Sequence, residues 1–245
     1  MALHFQLDEL DDSAVGATVT LTGAEAHHAA AVRRVRVGEP VTVGNGRGLW
    51  LEGECTSVAP KLVELVVRTR TVEPAPAPRI VLAQALAKGD RDELAIQAAT
   101  ELGVDEVVPW QAARSVSRWD AAKAVKGIAR WQTIVREAGK QAHRAWMPVV
   151  TGVVTTAALA ERAAGCRMLV LEPAGDQRLT GIRFDPADAR DIVLVVGPEG
   201  GIAPEELQTL RDAGASVVAL GDTVLRTSTA GPAALAILDA ALGRW

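Results

Sequence analysis

The sequence of 245 residues lacks several features that would assign a protein to a class at once. It has no run of about 18 apolar residues, so we predict no membrane-spanning helix. Residues 1–6 form neither a basic nor a long apolar stretch, so we expect no secretory signal and a cytoplasmic location. Only two cysteines occur, Cys55 and Cys166, and both stand in strand-like runs. We therefore predict buried, reduced thiols rather than a disulfide or a metal pair.

The familiar nucleotide-binding loops are also absent. No Gly-Lys-Ser/Thr phosphate loop occurs, and the glycine-rich segment 197–201 does not follow the Gly-x-Gly-x-x-Gly pattern. His27 and His28 are adjacent, but no other histidine, cysteine or carboxylate stands at a matching ligand spacing. We therefore predict no metal site.

The first third of the chain has the pattern of a small β-barrel. Short strand-like runs recur between residues 17 and 70, and Thr22 and Glu25 form a Thr-x-x-Glu capping box before a helix at 26–32. Alternating prolines in residues 73–78 predict a stiff, extended linker. The predicted domains are therefore a barrel at 1–72, a linker at 73–78 and a larger domain at 79–245.

After the linker, strand-like and helix-like segments alternate. This order predicts an α/β fold, in which helices cover both faces of a mostly parallel sheet. Residues 192–196 form a buried strand that is followed at once by the glycine-rich loop 197–201, and a second strand at 216–220 leads into the loop 221–229. Two such loops at the carboxyl edge of a sheet predict a small-molecule site, with tight turns as the alternative.

Those two loops resemble a known family. Residues 194–201, Leu220-Gly221 and 224–227 resemble the SPOUT, or trefoil-knot, methyltransferases, and within them the bacterial family that methylates N3 of a uridine in small-subunit ribosomal RNA. Segment 84–91 and His27-His28 extend the resemblance over nearly the whole chain. The family often has lysine where Ala98 stands, and glutamate where Ser228 stands.

The resemblance implies a knotted parallel sheet, a PUA-like barrel that binds RNA, and S-adenosylmethionine as the cofactor without a metal. Arg226 is then the candidate for holding the anionic uracil oxygens. Glu199 is the candidate acceptor of the proton or of a cofactor hydroxyl, the alternative being a favourable charge at a helix start. The candidate cofactor-binding residues are Leu171, Glu172, Gly197, Glu199, Gly200, Gly201, Leu220, Gly221, Leu225, Thr229 and Ala230.

The formal net charge of −4 hides a basic segment. Residues 110–150 contain eight basic and two acidic side chains, and the barrel contributes a second basic cluster. Two basic patches suit a phosphate backbone, and the resemblance implies that the partner is 16S ribosomal RNA; a solvated helix face is the alternative. The candidate RNA-binding residues are His28, Arg33, Arg34, Arg36, Arg114, Lys126, Arg130, Lys140 and Arg144.

The last helix is apolar almost all round, broken only by Asp239. A second buried face calls for a second partner, so we expect a homodimer; burial against the chain's own long helix is the alternative. Two other classes of function remain open. One is a non-catalytic RNA-binding or assembly factor with a vestigial cofactor pocket, and the other is a dinucleotide-dependent enzyme.

Overall fold

The computed structural model describes residues 2–10 and 13–245. The chain divides into two compact units, of which the first comprises Met1–Ala75 and Gly139–Met147 and the second Pro76–Ala138 and Pro148–Trp245. The sequence did not indicate that a segment from the middle of the chain groups with the first unit. The domain bounds at residues 72 and 79 remain a prediction. Within the described ranges, no helix is both long and apolar enough to cross a membrane.

The first unit is built on a five-stranded sheet with the order β1-β3-β4-β5-β2. β1 pairs with β3 in parallel, and the other pairs are antiparallel. The inward side chains, such as Phe5, Leu21, Leu51 and Leu65, form a single core. The elements are β1 (Leu3–Gln6), β2 (Thr18–Thr22), α1 (Gly23–His27) with a π-helical turn (His28–Val32), β3 (Pro40–Gly44), β4 (Leu49–Ala59) and β5 (Leu62–Val72).

The predicted capping box at the start of α1 is wrong. Thr22 stands at the N-cap, but its side chain makes no capping hydrogen bond. Glu25 instead accepts a hydrogen bond from Lys140 Nζ at 2.8 Å, within the same unit. Both side chains are largely buried, with 4% of Lys140 and 13% of Glu25 exposed. A partly buried carboxylate is stabilised more by a cation than by a backbone N–H group, so the ion pair decides the position of Glu25.

The second unit alternates strands and helices, as the sequence predicts. Its elements are β6 (Ile80–Ala85), α2 (Arg91–Glu101), β7 (Glu106–Trp110), α3 (Ala121–Gln141, of which the last turn belongs to the first unit), β8 (Val149–Val150), α4 (Thr156–Ala163), β9 (Arg167–Leu171), β10 (Gln177–Arg178), a 3-10 turn (Leu179–Gly181), β11 (Ile192–Val196), α5 (Pro204–Asp212), β12 (Ser216–Ala219) and α6 (Thr227–Ala241).

The seven strands of this unit form one sheet with the order β10-β12-β9-β11-β6-β7-β8, and every pair is parallel. Alternate residues of one strand face opposite sides. Leu82 and Leu194 pack with α2, α3 and α6 on one face, whereas Ala83 and Val195 pack with α4 and α5 on the other. The predicted α/β sheet with helices on both faces is confirmed. Cys55 and Cys166 are buried, as predicted, and neither forms a disulfide in the structure.

α6 lies mainly against its own unit. Leu235 and Leu238 are fully buried in the core that α6 shares with α2, β6 and β11. Ala233 and Ala236 are half-buried, while Asp239 is buried. The two leucines therefore stabilise the fold of the chain itself and cannot report on a partner.

The Glu25–Lys140 ion pair yields a testable prediction. Lys140→Met leaves the Glu25 carboxylate buried beside an apolar side chain, so we expect the free energy of unfolding to fall by about 3–5 kcal/mol. Urea denaturation followed by tryptophan fluorescence measures it. The matched control is Lys126→Met, an exposed lysine of the same helix, which should change stability by less than about 0.5 kcal/mol. Equal losses in both variants would contradict the prediction.

Candidate active site at the carboxyl edge of the sheet

Three loops of the second unit meet because of the order of their strands. β9 lies between β11 and β12, and all three run in parallel. Their carboxyl ends therefore reach the same edge of the sheet, where the segments 171–173, 197–202 and 220–226 follow. This is the edge at which open parallel sheets bind ligands.

These loops enclose a cavity of about 410 Å³, within the range of small-molecule sites. It is lined by Arg91, Leu171, Glu172, Pro173, Val196, Gly197, Pro198, Glu199, Gly201, Ile202, Leu220, Gly221, Thr223, Val224, Leu225, Arg226, Thr227 and Ala230. The structure thus brings both candidate catalytic residues and most candidate cofactor residues together. Gly200 and Thr229 are the two candidates outside the lining.

The glycines of these loops have different surroundings. A Cβ on Gly197 would lie 2.7 Å from Cγ1 of Ile202, so a larger residue there would require Ile202 to shift. Gly201 has φ +72°, a conformation that glycine adopts readily. A Cβ on Gly200 would stand 3.3 Å from Cβ of Arg114, which shows that Gly200 packs against the neighbouring loop rather than lining the cavity. Gly221 borders the cavity with open space at its Cβ position.

Glu199 is held by two donors from the start of α2. The backbone N–H of Lys88 and Nη1 of Arg91 donate to its Oε1 at 3.0 Å and 2.8 Å. Partial burial by itself would raise the pKa of Glu199, but hydrogen bonds from the Glu199 and Lys88 backbone and the Arg91 guanidinium outweigh it and lower the pKa. A carboxylate with a lowered pKa is a weak base. The geometry therefore supports a tethering role for Glu199 rather than proton acceptance.

The remaining charges at the cavity are Arg226 and Glu172. Arg226 is exposed and stands at the N-cap of α6, with the extended backbone that is usual before a helix. Glu172 is half-buried at the end of β9, and its backbone N–H donates to Val218 O of β12. The cavity therefore presents one cation and one anion in addition to the Arg91–Glu199 pair.

Sequence reasoning missed several lining residues, notably Arg91 and Thr227. Arg91 starts α2 after the short loop that follows β6, and β6 pairs with β11, so this loop lies beside the glycine-rich loop. The sequence does show that Arg91 follows a strand and begins a helix. That position predicts a cavity residue only when β6 and β11, more than 100 residues apart, are known to be neighbours.

Arg114 is fixed beside the glycine-rich loop by a buried carboxylate. Glu206 in α5 accepts from the Ala113 backbone N–H at 2.9 Å and from Thr156 Oγ1 at 2.5 Å. Arg114 Nη1 then donates to Gly200 O at 3.2 Å, while its side chain stays exposed. This candidate RNA-binding residue therefore stands next to the cavity in the second unit.

The other candidate RNA-binding residues fall into separate groups. In the first unit Arg33, Arg34 and Arg36 are exposed in one loop, in which Arg34 has φ +55°. His28 is half-buried, with its ring perpendicular to that of Phe5. A run of exposed arginines suits phosphate contact.

The group on α3 differs from the predicted basic face. Lys126 and Arg130 are exposed one turn apart, and Arg130 forms an ion pair with Glu93. Arg144 is half-buried. Lys140 is buried against Glu25, which contradicts the prediction that it contacts RNA. Helical spacing placed Lys140 on the basic face but could not indicate that this last turn of the helix belongs to the first unit.

Metal ligands are not assembled in the ranges that the structure describes. No group of three or more histidine, cysteine, aspartate or glutamate side chains there is placed to hold an ion. His27 is exposed and His28 half-buried, and both belong to the first unit.

Comparison with known proteins gives matches over nearly the whole chain. The RNA methyltransferase domain family matches residues 73–239, and the RNA methyltransferase PUA domain family matches residues 21–68. The ribosomal RNA small subunit methyltransferase E of Mycobacterium bovis is 43% identical over 250 residues, which cover 100% of this chain and 94% of that protein. The five-stranded sheet is accordingly PUA-like, as predicted.

Solved structures agree with these matches. A methyltransferase of Legionella pneumophila in complex with the cofactor SAM is 28% identical, with a TM-score of 0.85. The ribosomal RNA small subunit methyltransferase E of Neisseria gonorrhoeae, bound to S-adenosyl methionine, is 29% identical, with a TM-score of 0.85. Each comparison covers 98% of both chains.

Proposed function

We propose that this chain, which belongs to the ribosomal RNA small subunit methyltransferase E family, transfers a methyl group from S-adenosylmethionine to N3 of a uridine in 16S ribosomal RNA. The observation that carries the proposal is the cavity at the carboxyl edge of β9, β11 and β12, because it combines bare loop backbone, an apolar floor and the exposed cation of Arg226.

The cavity suits S-adenosylmethionine in size and in chemistry. Leu171, Val196 and Leu225 offer apolar surface to an adenine ring, and the glycine loops let backbone N–H and C=O groups approach its polar edge. Glu172 carries negative charge towards the hydroxyl or ammonium groups of the cofactor. Bound S-adenosylmethionine supplies a methyl group on a positively charged sulfur.

The residues at the cavity then have to stabilise the uracil in its deprotonated, anionic form. The imide nitrogen is a poor nucleophile until it loses its proton, and Arg226 can stabilise the resulting charge on the neighbouring carbonyl oxygens. Glu199 keeps the glycine-rich loop in place through Lys88 and Arg91. The N3 proton passes to solvent, and because the pKa of Glu199 is lowered, stabilisation of the anion by Arg226 contributes more than proton acceptance by Glu199.

RNA is expected to meet both basic groups. The exposed loop with Arg33, Arg34 and Arg36 supplies phosphate contacts from the PUA-like unit, and Arg114, Lys126 and Arg130 supply them from the methyltransferase unit. Lys140 is left out because it is buried. The target base has to leave its stack to reach the cavity.

A homodimer and the knotted topology are parts of the same proposal. Support for a dimer comes from the half-buried positions Ala233 and Ala236, which leave part of the apolar α6 open to a second copy. Analytical ultracentrifugation at micromolar concentration decides the oligomeric state without any substitution, and an active monomer would contradict the dimer.

The reaction is tested on ribosomal RNA itself. We expect 16S RNA from cells lacking this protein to lose 3-methyluridine in mass spectrometry of nucleoside digests, and wild-type protein to restore it. Arg226→Gln should fail to restore it, because the neutral amide stabilises an anion less than a guanidinium does. Loss of a different methylated nucleoside would contradict the N3 assignment. Unchanged RNA methylation would favour the assembly factor.

Cofactor binding is tested at Gly221. At about 100 times its Kd, S-adenosylmethionine should stabilise the wild-type protein by about 2.7 kcal/mol, which raises the Tm by roughly 5–10 °C. Gly221→Val should abolish this rise, since its side chain would stand beside the cavity. Gly165→Val is the matched control, because a Cβ at either glycine meets no described atom within 4 Å. If both variants keep the full rise, the loop after β12 does not hold the cofactor.

RNA binding is tested by charge reversal in the PUA-like unit. Replacing Arg33 and Arg36 with glutamate should weaken RNA binding and reduce the slope of log K against log salt by about one per lost contact. The control variant, with glutamate at Lys61 and Arg68, makes the same change in net charge at exposed sites of the same unit. Equal effects in the two variants, measured by fluorescence anisotropy, would contradict a specific role for the arginine loop.

A further inference from the structure

One buried polar side chain beneath the cavity has no role in the proposed reaction. Gln84 stands at the carboxyl end of β6, in register with Val196 of β11, and is fully buried. Its neighbours on that face of the sheet are apolar, for instance Leu82 and Leu86. An amide in such surroundings is unfavourable unless its hydrogen bonds have a structural use.

The amide connects two cavity loops through one hydroxyl. Gln84 Nε2 donates to Thr227 Oγ1 at 2.9 Å, and Thr227 Oγ1 donates to Gly197 O at 2.8 Å. Gln84 Nε2 also reaches Ala85 O at 3.2 Å. The bonds therefore run from β6 to the first residue of α6 and from there to the glycine-rich loop.

Thr227 does not use its hydroxyl for its own helix. The N-cap of α6 is Arg226, and no side chain caps this helix. Thr227 is 6% exposed and lines the cavity, as Gly197 does. The hydroxyl therefore joins the two loops instead of completing the helix start, and it fixes the backbone from which Arg226 extends.

We propose that Gln84 and Thr227 are positioning residues, which clamp the glycine-rich loop to the start of α6 and so hold the cofactor cavity and Arg226 in their binding geometry. This inference rests on the proposed function only in its choice of ligand. The Oε1 atom of Gln84 has no hydrogen-bond partner among the described residues. A buried amide whose Oε1 accepts no hydrogen bond is unfavourable by itself, so the bonds that its Nε2 donates are the ones with a structural use.

The clamp differs from the tether at Glu199. The Glu199 bonds hold the outer part of the glycine-rich loop to the start of α2 and are partly exposed, with 23% of the Glu199 side chain and 44% of that of Arg91 accessible. The bonds of Gln84 and Thr227 are buried and hold the inner end of the same loop to α6. Buried hydrogen bonds are less exposed to competition from water, so the inner clamp determines the loop geometry more strongly.

The experiment compares three isosteric or conservative changes. Thr227→Val keeps the shape and removes the hydroxyl, Thr227→Ser keeps the hydroxyl, and Thr100→Val is the matched control. Thr100 is buried in the same unit, and its hydroxyl donates to Ile96 O at 2.7 Å within α2. The measurements are the Kd for S-adenosylmethionine by calorimetry and amide hydrogen exchange of segments 197–203 and 223–230 without cofactor.

We expect Thr227→Val to weaken cofactor binding about tenfold, because it removes both hydrogen bonds of the hydroxyl, and to speed exchange in both segments. Thr227→Ser should restore both properties, and Thr100→Val should change neither. In addition to these three changes, Gln84→Met removes the amide, and it should weaken binding by only about threefold because the Thr227–Gly197 bond remains.

Wild-type affinity and wild-type exchange in Thr227→Val would overturn the clamp. A wild-type protein that fails to bind S-adenosylmethionine would overturn the proposed function instead, while the exchange measurement would still decide whether the clamp exists. A lower Tm with unchanged Kd and unchanged loop exchange would assign Thr227 to general stability and would also overturn the proposal.

Discussion

The parallel pairing of β11 between β6 and β9 is the constraint on which the rest of the second unit depends. Its five residues, Ile192–Val196, are fully enclosed by two strands and by helices on both faces. Because parallel strands share direction, the loops that follow β6, β9 and β11 are forced to the same edge. The cavity, the tether at Glu199 and the clamp at Thr227 all depend on these strands being adjacent.

Burial decides which charges of this chain are available to a ligand. Arg226 and Arg91 line the same cavity, but Arg91 is paired with Glu199 at 2.8 Å, whereas Arg226 stands exposed at the N-cap position of α6. Lys126 and Lys140 lie on the same helix, yet the first is exposed and the second is enclosed beside Glu25. The number of basic residues in this segment is therefore larger than the number that are exposed and able to contact RNA.

Sequence patterns predicted the strands and helices well because each element depends on residues that are close together in the chain. The apolar runs at Ile80–Ala85 and Ile192–Val196 are typical of buried strands, and Pro204 and Gly214 bound α5 closely. The failures have one cause: the missing partner was distant in sequence. Glu25 pairs with Lys140, 115 residues away, instead of capping α1, and the same ion pair buries Lys140, which helical spacing placed on the basic face.

The sequence by itself determined the α/β class of the larger unit, the glycine-rich loops at strand ends and the basic loop of the smaller unit, because each depends on near neighbours in the chain. Only the tertiary structure decided that Arg91 and Thr227 line the cavity, that Gly200 faces Arg114 and that Lys140 is buried. The physical reason is that strand order and burial are set by packing between residues far apart in sequence, which no local pattern records.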